Sequence, residues 1–497
     1  MRFYKKEAAG QPLMFSIPKN SPWVTLVTLL LSYAAGYEYV NRCLGLGVSH
    51  ASPSWRAGVL VFVVLYTALV ELTARASGHK PNRNAAAWWY CWLVQSLAMA
   101  MWQLHTDGLG FWQVMAWHGT AIYYVLTRNG LLAAGRTGCL ILLDGITGTF
   151  TIPFGNFFLR IRLLWQQLCQ VWTARTHRKK RMLEVVFSIT AALLLGGVAC
   201  ATLAGADANF ARLWGSFGSW LGRLFDQDVL LADLLIFALS LPVGAWLFGL
   251  AAGSARRSTA PVAAEQAYGS MAKLPRLPRL MGVLAMAVLC GVYALFFAVQ
   301  AAEFAAALGA PLPLDAVDAA TFAVNGFWEF CRILVLNLAV LAVLHFLGAQ
   351  PIAQKGAERV LAVALCAFCA AFAGLAAAKL AVYIQLYGPT VRRIWAAWVL
   401  AALLLASVLA GVRLFRKIQA ARIAFVAAVF SFSLLCCLPL ERFCVDAQLA
   451  RPDCDWQLLQ RYTWQSEELD DYITKKAGKN AFNLYLQQGE VDFPEIY

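Results

Sequence analysis

Residues 360–386 read VLAVALCAFCAAFAGLAAAKLAVYIQL, with Lys379 the one charged side chain. A helix needs about 20 apolar residues to cross some 30 Å of hydrocarbon, where lipid offers the backbone no partner outside the helix itself. The stretch is long enough for one crossing, and Gly388-Pro389 follows as a stop. Similar runs recur on both sides of it, so the sequence predicts spans at 24–40, 57–72, 88–104, 111–126, 185–204, 229–251, 280–302, 324–347, 360–386, 394–412 and 423–440. The predicted fold is therefore all-α, a polytopic transmembrane bundle of about 11 helices.

Composition agrees. Of 497 residues, 60% are hydrophobic and 14% charged, with a mean hydropathy of +0.61, against roughly 25% charged residues in soluble chains. The net charge of +14 sits in short segments between apolar runs, which argues against a nucleic-acid partner and for a topological role. Segments placed inside carry 26 Lys and Arg, and loops placed outside carry 6. The positive-inside rule then puts the N-terminus in the cytoplasm and, after an odd number of crossings, the C-terminus outside. Arg2, Lys5, Lys6 and Lys19 precede the first run, which reads as a retained signal anchor.

The chain divides into a cytoplasmic segment 1–23, four helices over 24–128, a basic cytoplasmic loop 129–182, a seven-helix core 183–440 and an acidic extracytoplasmic tail 441–497. Within the loop, Cys139 to Phe158 is interrupted by Asp144, Gly145, Gly148, Pro153, Gly155 and Asn156, so it reads as interfacial or re-entrant. Arg175, Arg178, Lys179, Lys180 and Arg181 follow as a patch suited to an anionic cytoplasmic leaflet. The tail holds eleven acidic and six basic residues, with Cys444 and Cys454 as candidates for an extracytoplasmic disulfide or as two separate thiols. Most of the thirteen cysteines lie in or beside apolar runs, where a thiol packs as a small hydrophobe. The Cys366–Cys369 pair has CxxC spacing inside a span, and packing is favoured there over redox or metal chemistry.

Charge inside a span costs about 2.5–3.5 kcal/mol on insertion scales and calls for a partner or water. Asn325, Glu329 and Arg332 share one stripe of the eighth span, and Lys379, Tyr383 and Tyr387 share one of the ninth, with Gln385 nearby. If the stripes meet, Glu329 lies between Arg332 and Lys379, forming a polar node that is either a structural clamp or an ion, proton or headgroup site. His118 and Asp233 are weaker candidates. Catalytic signatures such as HExxH, GxxxxGK[ST] and GxSxG are missing, the six histidines are scattered, and no metal or cofactor motif is present.

Four ordered stretches carry a resemblance: Ala204-Gly-Ala-Asp207-Ala-Asn-Phe210, Val292-Tyr293 to Gln300, Gly326-Phe-Trp-Glu329-Phe-Cys-Arg332 with Asn337, and Tyr383-Ile-Gln385-Leu-Tyr387-Gly388 with Arg392 and Arg393. Together they resemble bacterial multi-pass membrane proteins of the domain-of-unknown-function 4153/4173 type, over roughly residues 185–440. The resemblance implies a helical bundle in a bacterial cytoplasmic (inner) membrane and supplies no activity. After Leu440 the chain departs from the pattern with Ala450-Arg-Pro-Asp453-Cys454 and a longer acidic end.

Three function classes follow. One is a non-enzymatic membrane scaffold, sensor or complex subunit, meeting a membrane or extracytoplasmic protein through the acidic tail. The second is a transporter or ion-coupled permease using the Glu329, Arg332 and Lys379 node. The third is a lipid-modifying enzyme, for which Asp207, Asp226, Asp228, Asp315 and Asp318 are the available loop carboxylates. A transporter commonly shows paired broken helices in two repeats, and no internal repeat stands out, so the scaffold reading leads.

Overall fold

The computed structural model describes residues 22–45, 53–80, 83–102, 105, 108–138, 140–173, 188, 192, 195, 227–257, 259–273, 276–307, 316–348, 356–452, 454–465 and 467–478. All of the expected fifth span but residues 188, 192 and 195, the patch from Arg175 to Arg181 and the loop carboxylates Asp207, Asp226 and Asp315 lie outside the described residues. What is described is helical, with one isolated parallel bridge between Leu277 and Gly348.

Every expected span except the fifth falls on a helix. In chain order the helices among the described residues are α1 (Pro22–Glu38), α2 (Pro53–Ala76), α3 (Arg83–Trp102), α4 (Leu109–Arg128), α5 (Ile141–Ile146), α6 (Ile152–Gly155), α7 (Leu159–Thr173), α8 (Gln227–Ala255) and α9 (Ala264–Ala272). Then come α10 (Arg279–Ala307), α11 (Ala316–Leu347), α12 (Ala357–Tyr387), α13 (Val391–Phe415), α14 (Ala420–Cys436), α15 (Leu440–Leu449), α16 (Trp456–Gln465) and α17 (Glu467–Ala477). Among the described residues, 6 helices are long and apolar enough to cross a membrane, or 7 if α14 and α15, bent by 60°, count as one broken span. The stretch 141–155 is helical with a π-helical turn at Thr147–Thr151. At about 1.5 Å per residue it falls short of the roughly 30 Å that a crossing requires.

The chain forms two compact units. The first comprises 1–82, 128–131 and 146–259. In it α1 and α8 approach through glycines: a Cβ on Gly36 would stand 2.8 Å from the Gly244 Cα. Gly249 and Gly253 make room for the backbone of Pro153 and the side chain of Asn156, so two of the residues that interrupt 139–158 lie against α8. Arg160, buried, stacks 4.0 Å over the Tyr33 ring and donates to the Leu241 carbonyl at 2.6 Å. Arg128 grips Glu71 through Nε (2.7 Å) and Nη2 (3.0 Å) and donates Nη1 to the carbonyls of His79 and Lys80.

The second unit comprises 83–127, 132–145 and 260–497. One core lies among α10, α11, α12 and α13. Phe372 is its hub, with ring centroids 5.0 Å from Tyr293, 5.5 Å from Phe296, 4.8 Å from Phe297 and 5.5 Å from Phe330. Such offset and edge-on aromatic pairs add about 0.5–1.5 kcal/mol each beyond area burial. A second core joins α3, α4, α13 and α14 to α15, α16 and α17 through Phe432, Leu440, Val445, Leu459, Tyr462 and Ile473. The stretch from 441 to Ala477, read from sequence as a tail, is thus largely a helical cap that shares a core with the bundle.

Candidate functional site

The core among α10, α11, α12 and α13 holds a connected set of polar side chains. Tyr293 on α10 donates its hydroxyl to Asn337 Oδ1 at 2.9 Å, and Asn337 Nδ2 donates to the Cys369 sulfur at 3.3 Å. Ser407 on α13, whose hydroxyl donates to the Leu403 carbonyl at 2.9 Å, lies beside the same sulfur. All four are buried. Polar groups surrounded by apolar side chains hold position by bonding one another, and in membrane proteins such bonds fix helix register at roughly 1 kcal/mol each. Sequence reasoning placed Tyr293 and Asn337 only as landmarks. The signal that marks them is a hydrogen-bonding side chain near mid-span on each of two successive apolar helices.

The node expected from sequence divides in two. Glu329 and Arg332 are exposed on α11, and the ion pairs among the described residues involve other side chains. Lys379 lies 5.0 Å over the Phe330 ring, with Glu329 near enough to attract it. Asn325 lies on α11 in a stretch described by its backbone alone. Tyr383, Gln385 and Tyr387 belong instead to the end of α12.

That end is a dense carbonyl cap. Gly388 terminates α12 at φ +75°, a conformation that favours glycine. The Arg393 guanidinium stacks 4.1 Å over Tyr383 and 5.9 Å from Tyr387, and donates to the carbonyls of Tyr387 and Gly388. Gln448 on α15 donates to the Tyr387 carbonyl at 2.8 Å, and Arg451 donates to those of Gln385 and Leu386 at 2.9 and 2.6 Å. A helix C-terminus exposes unpaired carbonyls and the negative end of its dipole. Two arginines and an amide satisfy both and attach the cap to α12.

A third polar cluster closes the bend after α14, where Pro439 ends the straight run. His105, between α3 and α4, is buried there. Its Nδ1 stands 3.1 and 3.0 Å from the two carboxylate oxygens of Glu441, and its Nε2 stands 2.9 Å from the Cys436 carbonyl. Trp102 donates to the Cys437 carbonyl at 2.9 Å. Both ring nitrogens of His105 face acceptors, so the doubly protonated imidazolium satisfies the site. Burial lowers its pKa, but the hydrogen bond and charge of Glu441, helped by the Cys436 carbonyl, outweigh burial and hold it above the usual value. The arrangement stores a proton and locks a bend; among the described residues no group of three metal-ligating side chains converges.

Residues 85–466 match a family described as Domain of unknown function (DUF4153). The chain belongs to this family. No curated protein and no solved structure matches. The DUF4153 region begins within α3 and reaches past the end of α16, wider than the 185–440 read from sequence. It contains Tyr293, Asn337 and Cys369, the carbonyl cap of α12, and the His105–Glu441 pair. The expectation that the chain leaves the pattern after Leu440 is corrected accordingly: α15 and α16 are inside the DUF4153 match. Cys444 is buried in the core of that cap and Cys454 packs against it.

Proposed function

We propose that this DUF4153 protein is a non-enzymatic membrane scaffold, sensor or complex subunit in a bacterial cytoplasmic membrane, with its N-terminus inside and its C-terminal cap outside. The observation that carries this reading is the cap. Helices α15, α16 and α17 are held on the bundle by a shared apolar core and by the carbonyls of α12. Their other face carries Arg461, Trp464, Glu467, Glu468 and Asp471, all exposed. A rigid, charged platform with one exposed Trp suits a protein partner, since buried aromatic anchors supply most of the energy at such interfaces.

A transporter reading runs through Glu329, Arg332 and Lys379. The core hydrogen bonds of Tyr293, Asn337 and Cys369 engage one another, which favours a clamp there over a solute path. The test compares Trp464→Ala and Glu467→Lys on the cap with Glu329→Gln on α11, at matched membrane abundance. Cross-linked or native-gel assemblies should shrink with the cap variants and persist with Glu329→Gln. Ion or solute flux in proteoliposomes of the purified chain that disappears with Glu329→Gln overturns the scaffold reading.

A further inference from the structure

At the opposite end of α13 from the cap, where α11 and α13 finish and α14 begins, the second unit holds a cavity of about 510 Å³, within the range of about 300–1,000 Å³ common for small-ligand sites. Its wall is apolar, built from Leu338, Leu341, Ala410 and Ala424 among others. Alanines on α13 and α14 create the space, because larger side chains there would close it. His345, Arg413 and Lys417 stand at its polar rim.

The rim is positive by several independent means. Arg413 donates Nη1 to the Ile418 carbonyl at 3.0 Å and Nη2 to His345 Nε2 at 3.2 Å. A guanidinium is always a donor, so that ring nitrogen is unprotonated and His345 serves to aim the arginine. Lys417 is exposed beside it. Helix α14 starts at the cavity wall with no side-chain cap from Gln419 and no acidic residue in its first turn. Arg422 occupies that turn instead, and Arg136 stands against the Gln419 amide. Helix N-termini favour anions, and among the described residues no carboxylate forms an ion pair with Arg413, Lys417 or Arg422. A small anion would leave the apolar wall unused, and a neutral apolar molecule would leave the cations facing one another.

We propose that this cavity binds an anionic phospholipid, with its phosphate between Arg413, Lys417 and the start of α14 and an acyl chain along Leu338, Leu341 and Ala410. This is a discrete site, distinct from a general attraction of basic loops to a charged leaflet. The position at helix ends suits it, since phosphates lie at the boundary of the hydrocarbon.

The test uses the purified full chain in neutral detergent with phosphatidylglycerol, phosphatidylcholine or inorganic phosphate alone, read by native mass spectrometry and thermal unfolding. Phosphatidylglycerol should be retained about tenfold more strongly than phosphatidylcholine and raise the melting temperature, while inorganic phosphate leaves it unchanged. Ala410→Leu, which fills the wall, and Lys417→Gln, at an exposed rim position, should each remove that preference. Equal retention of the two lipids, or a phosphate effect matching that of phosphatidylglycerol, overturns the site. If Ala410→Leu does not fold, Lys417→Gln combined with Arg422→Gln decides alone, and an unchanged preference rejects the proposal.

Discussion

His105 and Glu441, 336 residues apart in the chain, meet in a buried contact that joins the α3–α4 connection to the first turn after the α14 bend. Because His105 titrates above its usual value in the folded protein, its contribution to stability is complete below about pH 6.5 and is lost as pH rises through the folded pKa. The melting temperature of the purified protein should therefore fall on the alkaline side of that value. His105→Gln should flatten this slope. Glu441→Gln should cost about 3–5 kcal/mol and reverse the slope, because burial is then opposed by the Cys436 carbonyl alone. A slope in His105→Gln equal to that of the unaltered protein would sink the assignment.

Asn337 bonds Tyr293 and Cys369 at once, so its removal strands two partners in an apolar core. Asn337→Ala should destabilise the protein by about 1–3 kcal/mol, the cost of leaving buried polar groups unpaired. Tyr293→Phe, which deletes one bond and keeps the ring against Phe372, should cost less, near 1 kcal/mol. Thermal unfolding in detergent checks the order. Equal losses from the two variants would show that the amide acts through packing alone.

Much of this architecture is legible in the chain because hydrophobic run length is a local property. Residues 360–386 announce α12 without reference to any other segment, and Gly388-Pro389 announces its end. What the runs do not encode is which faces meet. Helical periodicity places Glu329, Lys379, Tyr383 and Tyr387 in one node, and Lys379 does lie near Glu329, yet Tyr383 and Tyr387 turn to Arg393. The cap is hidden in the sequence for a related reason: Leu459, Tyr462 and Ile473 are spaced among charges, so their apolar face emerges only when α16 and α17 fold against α13 and α14. His105 looked like one scattered histidine because its partner lies at the far end of the chain.

Gly388 offers a sharper test of the α12 cap. Its backbone at φ +75° and ψ 171° is a region held almost only by glycine, and a Cβ there would collide with the Gln448 amide. Gly388→Ala should cost about 1–3 kcal/mol from backbone strain and displace Gln448 from the Tyr387 carbonyl. Pairing it with Gln448→Ala in a double-mutant cycle separates the two effects: the losses should sum to more than the double variant shows. Strict additivity would mean that α15 does not bear on this turn.

Helix α13, Val391–Phe415, has the carbonyl cap at its start and the basic cavity near its end. At about 1.5 Å per residue its length matches one bilayer crossing, so the two features should face opposite compartments. Arg416→Cys lies just past the basic end and Trp464→Cys on the outer face of α16, both at exposed positions. If the Lys- and Arg-rich loops face the inside, as the positive-inside rule predicts, a membrane-impermeant maleimide applied to intact cells should modify Trp464→Cys and leave Arg416→Cys untouched until the membrane is opened. The reverse pattern would invert the orientation and keep the fold. Labelling of both sites from outside would remove α13 as a crossing, and with it the membrane depth at which the cavity meets a lipid phosphate.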